Sequence, residues 1–182
     1  MSAAVGVVPV EGRGALPFQL YAGESLVALA SWALTEAEVE LLHLTASWAD
    51  VQARGCALVI HDPLCPATPV PFLRSVVERA GTEPAVLVGV RPVTDTVRRL
   101  ADGVLAETVD RRGLVSVASP VVLPEAVVAD LPAWPDLTDL ATLVEALAER
   151  FPVELLDAPP LGRRLADASD LVLLEGLAGP PA

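Results

Sequence analysis

The chain has 182 residues, a length typical of one domain, and we expect residues 1–182 to form a single unit. Its net charge is −12, and all 12 basic residues are arginine. This balance argues against nucleic acid and anionic membranes as partners, because both attract clustered cations. The missing lysine also excludes Schiff-base chemistry.

The apolar runs of the chain are short. None approaches the roughly 20 residues of a membrane span, and the N-terminus lacks the basic and apolar regions of a secretion signal. We therefore expect a cytoplasmic protein.

The N-terminal half of the chain alternates strand-like apolar runs with helical patterns. The predicted strands are Val5–Val10, Val39–Leu44 and Cys56–Ile60. The predicted helices are Leu26–Leu34, capped by Ser25, and Ser47–Arg54, ended by Gly55. Prolines keep the segment after Ile60 irregular.

The rest of the chain continues this alternation. The predicted helices are Phe72–Ala80, Thr138–Arg150 and Ser169–Leu177, and the predicted strands are Ala85–Val90, Val104–Val109, Leu114–Val117 and Val153–Leu156. The turn residues of 110–113 predict a β-hairpin between the two middle strands, with Gly113 at positive φ. The prolines between 124 and 135 predict a surface loop. The whole pattern predicts an α/β domain with a mixed, mostly parallel sheet and helices on both faces.

Ligands of open α/β sheets bind beyond the carboxyl ends of the strands, and three predicted loops lie there: Glu11–Gly14, His61–Pro66 and Arg91–Thr96. Asp62 is a candidate metal ligand for a phosphate-bearing substrate, or a cap of the turn before Pro63. The hydroxyls and arginines of 92–99 suit a polyol phosphate, or form an exposed turn.

The two histidines have separate expectations. His61 precedes Asp62 at a strand end, and we favour a structural role for it over a catalytic one. His43, on an apolar strand, is expected to be a core or edge residue.

Several motifs occur in an order that resembles one family. They are His61–Pro66, Pro92–Arg99, Thr108–Leu114, Ser119–Pro120 and Leu137–Ala141. Together they resemble methylerythritol phosphate cytidylyltransferase, which joins CTP to methylerythritol phosphate in isoprenoid precursor synthesis and releases diphosphate. The resemblance covers nearly the whole chain and is specific from Leu58 to Pro120.

The resemblance implies a nucleotidyltransferase fold, which is a Rossmann-like mixed sheet with a protruding β-arm. The arm corresponds to about residues 96–118 and interlocks two subunits, so a homodimer is expected. CTP and a polyol phosphate are the implied ligands, and Mg²⁺ is the implied cofactor if the chain is active.

The family's site residues transfer to matching positions of this chain. Asp62 matches the acidic residue near the metal and the triphosphate, and Arg164 matches a phosphate-binding lysine. Thr96 and Arg111 match residues that hold methylerythritol phosphate. With their neighbours Thr94 and Asp95 they form the candidate substrate site.

The segment after the first strand departs from the family pattern. The family has a glycine-rich loop there that carries a basic residue and a lysine, whereas Val8–Gln19 is several residues shorter and has Phe18 at the lysine position. Gly12, Arg13 and Gly14 are the remaining candidates for nucleotide binding. Glu11 adds negative charge where phosphates would lie.

Three functional hypotheses follow from these departures. The leading one is a degenerate binding or regulatory homologue with little or no nucleotidyl transfer. The second is an active nucleotidyltransferase with an altered substrate, and the third is a structural partner of an active paralogue through the β-arm.

Overall fold

A computed structural model describes residues 4–43, 45–94, 96–101 and 104–178. The ten strands within these ranges are β1 (Ala4–Val7), β2 (Leu20–Tyr21), β3 (Glu24–Ser25), β4 (Glu40–Leu41), β5 (Ala57–Ile60), β6 (Val86–Pro92), β7 (Val97–Ala101), β8 (Val104–Val109), β9 (Val115–Leu123) and β10 (Val153–Asp157). Six of them form the central sheet in the order β10-β6-β9-β5-β1-β4. Only β9 runs against its neighbours in that sheet, so the predicted mixed, mostly parallel sheet is confirmed.

Six helices among the described residues accompany the sheet. They are α1 (Leu26–Glu36), α2 (Trp48–Ala53), α3 (Val70–Ala80), α4 (Glu125–Asp130), α5 (Leu140–Ala148) and α6 (Ser169–Ala178). The side chains of Ser25, Ser47 and Asp139 accept a first-turn N–H of α1, α2 and α5, which fixes where these helices begin. None of the described helices is long and apolar enough to cross a bilayer.

The sheet is buried on both faces, which explains why its strands read as continuous apolar runs. In β5, Leu58 and Ile60 pack on the face that holds α2, α4 and α5. Ala57 and Val59 point the other way, toward α1 and α3. This two-sided packing leaves the strand ends, rather than a sheet face, as the place where polar side chains can gather.

The hairpin prediction for residues 104–117 is wrong. Strand β8 pairs antiparallel with β7, not with β9, and β9 pairs with β6 and β5. Arg111–Gly113 form a turn of 3₁₀ helix, and Gly113 does not have a positive φ. The long apolar run of β9 is buried between two central strands, and that burial outweighs the local turn signal.

Two strand boundaries also differ from the prediction. The strand expected over Val5–Val10 ends at Val7, two residues before Pro9. The strand expected over Val39–Leu44 is reduced to β4, whose two residues lie at the edge of the sheet. Leu44 lies outside the described residues.

Gly89 provides a test of how closely β6 and β9 approach. A Cβ at Gly89 would lie 2.6 Å from the backbone oxygen of Ser119. We expect Gly89→Ala to lower the free energy of unfolding by about 2 kcal/mol, because the two backbones must separate. Urea denaturation measures this change. Gly113→Ala is the matched control, since its Cβ would meet nothing within 4 Å and should leave stability almost unchanged.

Candidate active site

The candidate site is built around the Asp62 carboxylate. Asp62 follows the end of β5 and is 0% exposed. Arg13, from the loop after β1, places Nε 2.8 Å from Oδ1. Arg164, from the segment between β10 and α6, places Nε 2.8 Å from Oδ2. We call these three residues the arginine clamp.

Arg13 fastens the loop after β1 to the rest of the protein. Its side chain is buried, and Nη1 donates to the backbone oxygens of Glu11 at 2.6 Å and Leu137 at 3.0 Å. Gly12, with φ +76°, allows the loop to lie against Thr138, because a Cβ there would be 2.5 Å from the Thr138 oxygen. The loop is therefore closed against the segment that precedes α5.

The charges of the clamp hold Asp62 in its ionised form. Burial raises the pKa of Asp62, but the hydrogen bonds and charges of Arg13 and Arg164 outweigh burial and keep the pKa below its usual value. The backbone N–H of Leu64 donates to Oδ1 at 3.0 Å and acts in the same direction. The three side chains together carry a net charge of about +1. Of the three, only Arg164 is partly exposed.

The residues of the clamp do not fit a resident Mg²⁺ ion. Mg²⁺ in phosphate-transfer sites is usually held by one or two carboxylates plus the substrate's own phosphates. Both oxygens of Asp62 already accept hydrogen bonds from guanidinium groups. Over the described parts of the chain, no group of three or more His, Cys, Asp or Glu residues could hold a metal.

Ser119 and His61 support the backbone of Asp62 from the neighbouring strand. The Asp62 N–H donates to Ser119 Oγ at 3.1 Å, and Oγ lies 2.5 Å from His61 Nδ1. Because Oγ accepts from the backbone, its own hydrogen is free to donate to Nδ1, which requires a neutral imidazole. Burial lowers the pKa of His61 to about 4, so the ring is neutral near pH 7. This arrangement suits the structural role expected for His61.

The candidate substrate residues lie elsewhere, near the start of the β7–β8 pair. Thr94, Thr96 and Arg111 are exposed, and Arg111 Nη1 donates to the backbone oxygen of Thr94. Asp95 lies outside the described residues. Of the three loops expected beyond the carboxyl ends of the strands, the first two are joined by the Arg13–Asp62 pair. Arg91 of the third donates to the oxygen of Ala158 at 2.8 Å. No hydrogen bond or ion pair between described residues joins Thr94, Thr96 or Arg111 to the clamp.

A cavity of about 490 Å³ opens at the carboxyl ends of β1 and β4, and the sequence did not reveal it. We call it the β1–β4 cavity. Its lining comes from the ends of these strands, from α1 and from 134–137: Gly6, Val7, Val8, Pro9, Val10, Glu11, Val27, Ser31, Leu41, Leu42, His43, Ala46, Trp134, Pro135, Asp136 and Leu137. His43 is part of this lining and is exposed. Trp134, a large apolar residue among the prolines of 124–135, was the available signal. The surface loop predicted there is wrong for Glu125–Asp130, which form α4 and bury Val127 and Val128.

Most of the chain matches the sequence model of a known family. Residues 45–177 match the family model "IspD: 2-C-methyl-D-erythritol 4-phosphate cytidylyltransferase". The chain belongs to this family. The match begins after the glycine-containing loop and Arg13, and it includes Asp62 and Arg164.

Individual relatives agree with this assignment. The chain is 34% identical over 147 residues to the 2-C-methyl-D-erythritol 4-phosphate cytidylyltransferase of Symbiobacterium thermophilum, covering 70% of this chain and 57% of that protein. It is 34% identical to the bifunctional enzyme IspD/IspF of Anaeromyxobacter sp., covering 65% and 33%. The chain thus spans less than two thirds of the length of these curated relatives.

Solved structures support the same fold. The crystal structure of 2-C-methyl-D-erythritol 4-phosphate cytidylyltransferase from Thermus thermophilus superposes with a TM-score of 0.69 at 23% identity. The superposition covers 98% of this chain and 99% of that chain. The nucleotidyltransferase fold predicted for this family member is therefore confirmed.

The ion pairs of the arginine clamp should contribute strongly to the stability of the folded protein. Arg13→Ala removes one partner of a fully buried carboxylate, and we expect it to lower the free energy of unfolding by about 3 kcal/mol. Urea denaturation at pH 7 measures the loss. Arg112→Ala removes an exposed ion pair with Asp110 and serves as the control, with almost no expected effect. Equal stabilities for the two variants would contradict this description of the clamp.

The neutral state of His61 predicts a dependence of stability on pH. The folded pKa of about 4 lies below the ordinary histidine value of 6.5, so the unfolded chain takes up the proton first as pH falls. We expect about 2 kcal/mol of stability to be lost between pH 7 and pH 5. Denaturation curves of His61→Asn should lack most of this loss, and His43→Asn, at an exposed site, should retain it.

Proposed function

We propose that this protein is a family member without nucleotidyl transfer, and that it acts as a binding or regulatory homologue. The observation that carries the proposal is the arginine clamp. The carboxylate that matches the family's metal-side residue has both oxygens occupied by guanidinium groups of the same chain. For Asp62 to serve a metal or triphosphate, the buried Arg13–Asp62 pair would have to break, which is costly.

The state of the loop after β1 supports the proposal. A phosphate cradle needs backbone N–H groups that point outward. Here the N–H of Arg13 donates to Val10, that of Phe18 to Ala15 and that of Gln19 to Leu16. The lysine of the family pattern is also absent, since the chain has none.

The expected loss of rate is large. Charge that builds on phosphate oxygens in the transition state must be offset by fixed donors or a metal. Removal of one such donor typically slows an enzyme by about 10²–10³. Loss of the lysine and the cradle, together with engagement of Arg13 and Arg164 by Asp62, should leave little activity even if these effects are far from additive.

Pairing through the β-arm is the second candidate function, and one observation favours it. The β7–β8 pair forms its own two-stranded sheet, and Leu100 and Val104 within it are exposed. Exposed apolar side chains on a protruding pair are typical of a surface that a partner covers. A second copy, or an active paralogue, would fit such a surface.

An active enzyme with an altered substrate would instead use Asp62, Thr96, Arg111 and Arg164.

Diphosphate release tests the proposal directly. The protein is incubated with CTP, methylerythritol phosphate and Mg²⁺, with the Thermus thermophilus protein assayed in parallel. We expect no release above the background given by Asp62→Ala of this chain. Calorimetry with CTP and Mg²⁺ on the same sample should show no tight binding, and light scattering reports whether the chain is paired.

Two outcomes would overturn the proposal. Release of diphosphate that disappears in Asp62→Ala would show that the clamp opens and that the carboxylate takes part in transfer. Turnover of another nucleotide or polyol phosphate, lost in both Asp62→Ala and Arg111→Ala, would favour the altered-substrate enzyme.

A further inference from the structure

We propose that the β1–β4 cavity binds a small organic amine with an apolar body, and that it discriminates against anionic molecules of the same shape. The inference goes beyond the proposed function and does not depend on it. Its basis is the volume of the cavity, its walls and the charges at its edge.

The size and walls of the cavity suit a small organic molecule. Ligand pockets usually enclose about 300–1,000 Å³ and have mainly apolar walls with a few polar groups. This cavity measures about 490 Å³. Its polar residue on α1, Ser31, donates its hydroxyl to the oxygen of Val27 and so is satisfied within the helix. The strand ends and α1 therefore present largely apolar surface.

Trp134 gives the cavity an aromatic wall with a fixed position. Its Nε1 donates to the backbone oxygen of Ala46 at 3.1 Å, and its ring contacts Trp48 edge-on with centroids 5.0 Å apart. Indole rings attract organic cations through their negative π faces. A rigid tryptophan in the lining thus favours an ammonium group over a carboxylate.

The charged groups at the edge of the cavity also favour an ammonium group over a carboxylate. Glu11 and Asp136 line the cavity, and both are exposed. The hydroxyl and N–H of Thr138 both donate to Asp136 Oδ1, which lowers the pKa of Asp136 and keeps it ionised. Among the described residues, neither carboxylate has an arginine partner in an ion pair.

The arginines near these carboxylates form ion pairs with other acidic side chains. Arg13, next to the cavity in sequence, pairs with Asp62, and its Nη1 also donates to the backbone oxygens of Glu11 and Leu137 in the lining. A second, smaller cavity adjoins this one, and its lining includes Asp50 and Arg54. Arg54 pairs with Glu40 at 2.9 Å. His43 is the remaining titratable group of the lining. The carboxylates at the edge therefore give it a negative potential.

A matched set of indoles tests the inference at pH 8. Tryptamine, tryptophol and indole-3-acetate carry the same ring with an amine, a hydroxyl and a carboxylate. Binding is measured by calorimetry and by ligand-observed NMR, with CTP as a competitor. We expect tryptamine to bind about tenfold more tightly than indole-3-acetate, with tryptophol between them, and CTP not to displace it.

Paired variants separate a cavity effect from general attraction to an acidic protein. Glu11→Gln with Asp136→Asn should reduce the preference for tryptamine over indole-3-acetate to about twofold or less, while tryptophol binding is unchanged. Glu145→Gln with Glu149→Gln, exposed on and next to α5, removes the same charge outside the lining and should leave the preference intact.

Each contrary outcome overturns the inference. These are no binding of tryptamine, tighter binding of indole-3-acetate or CTP, and an equal loss of preference in both double variants. The proposed absence of nucleotidyl transfer would survive the first and third results, because it depends on diphosphate release rather than on this cavity.

Discussion

The buried carboxylate of Asp62, shared between Arg13 and Arg164, is the constraint on which the candidate site depends. A charge at this depth requires partners, and here all of them come from the protein. Because one partner belongs to the loop after β1 and the other to the segment before α6, a single side chain joins three distant parts of the sequence. The same contacts occupy both oxygens of the carboxylate.

Family membership and proposed function therefore differ in a specific way. The chain belongs to the 2-C-methyl-D-erythritol 4-phosphate cytidylyltransferase family, and its matched segment begins at residue 45. The loop after β1 lies before that segment and is closed by Arg13. The matched segment carries most of the fold, whereas the loop before it is fastened to Asp62 by Arg13.

Much of the fold could be predicted from the sequence because its signals are local. The apolar run of β5, followed by a turn, places Asp62 at a strand end, and Ser25 and Ser47 begin their helices as expected. The prediction of a hairpin at 110–113 was wrong. It was based on local turn residues, whereas the partners of β9 are decided by burial between strands that are distant in sequence.

The contacts of the site were harder to predict for the same reason. The family resemblance named Asp62, Arg13 and Arg164 as candidate site residues. It did not indicate that both arginines would pair with the carboxylate, since that depends on how three loops come together. The β1–β4 cavity was missed because its aromatic wall comes from a proline-rich segment that a sequence pattern describes only as loop. Neither feature has a periodicity to detect.

Strand β9 gives the molecule a mechanical connection that its sheet topology alone does not suggest. Near its start, Val115 pairs with Pro92 beside the β7–β8 arm. Four residues further along, Ser119 holds the backbone of Asp62. A displacement of the β7–β8 pair would therefore reach the backbone of Asp62 along this one strand.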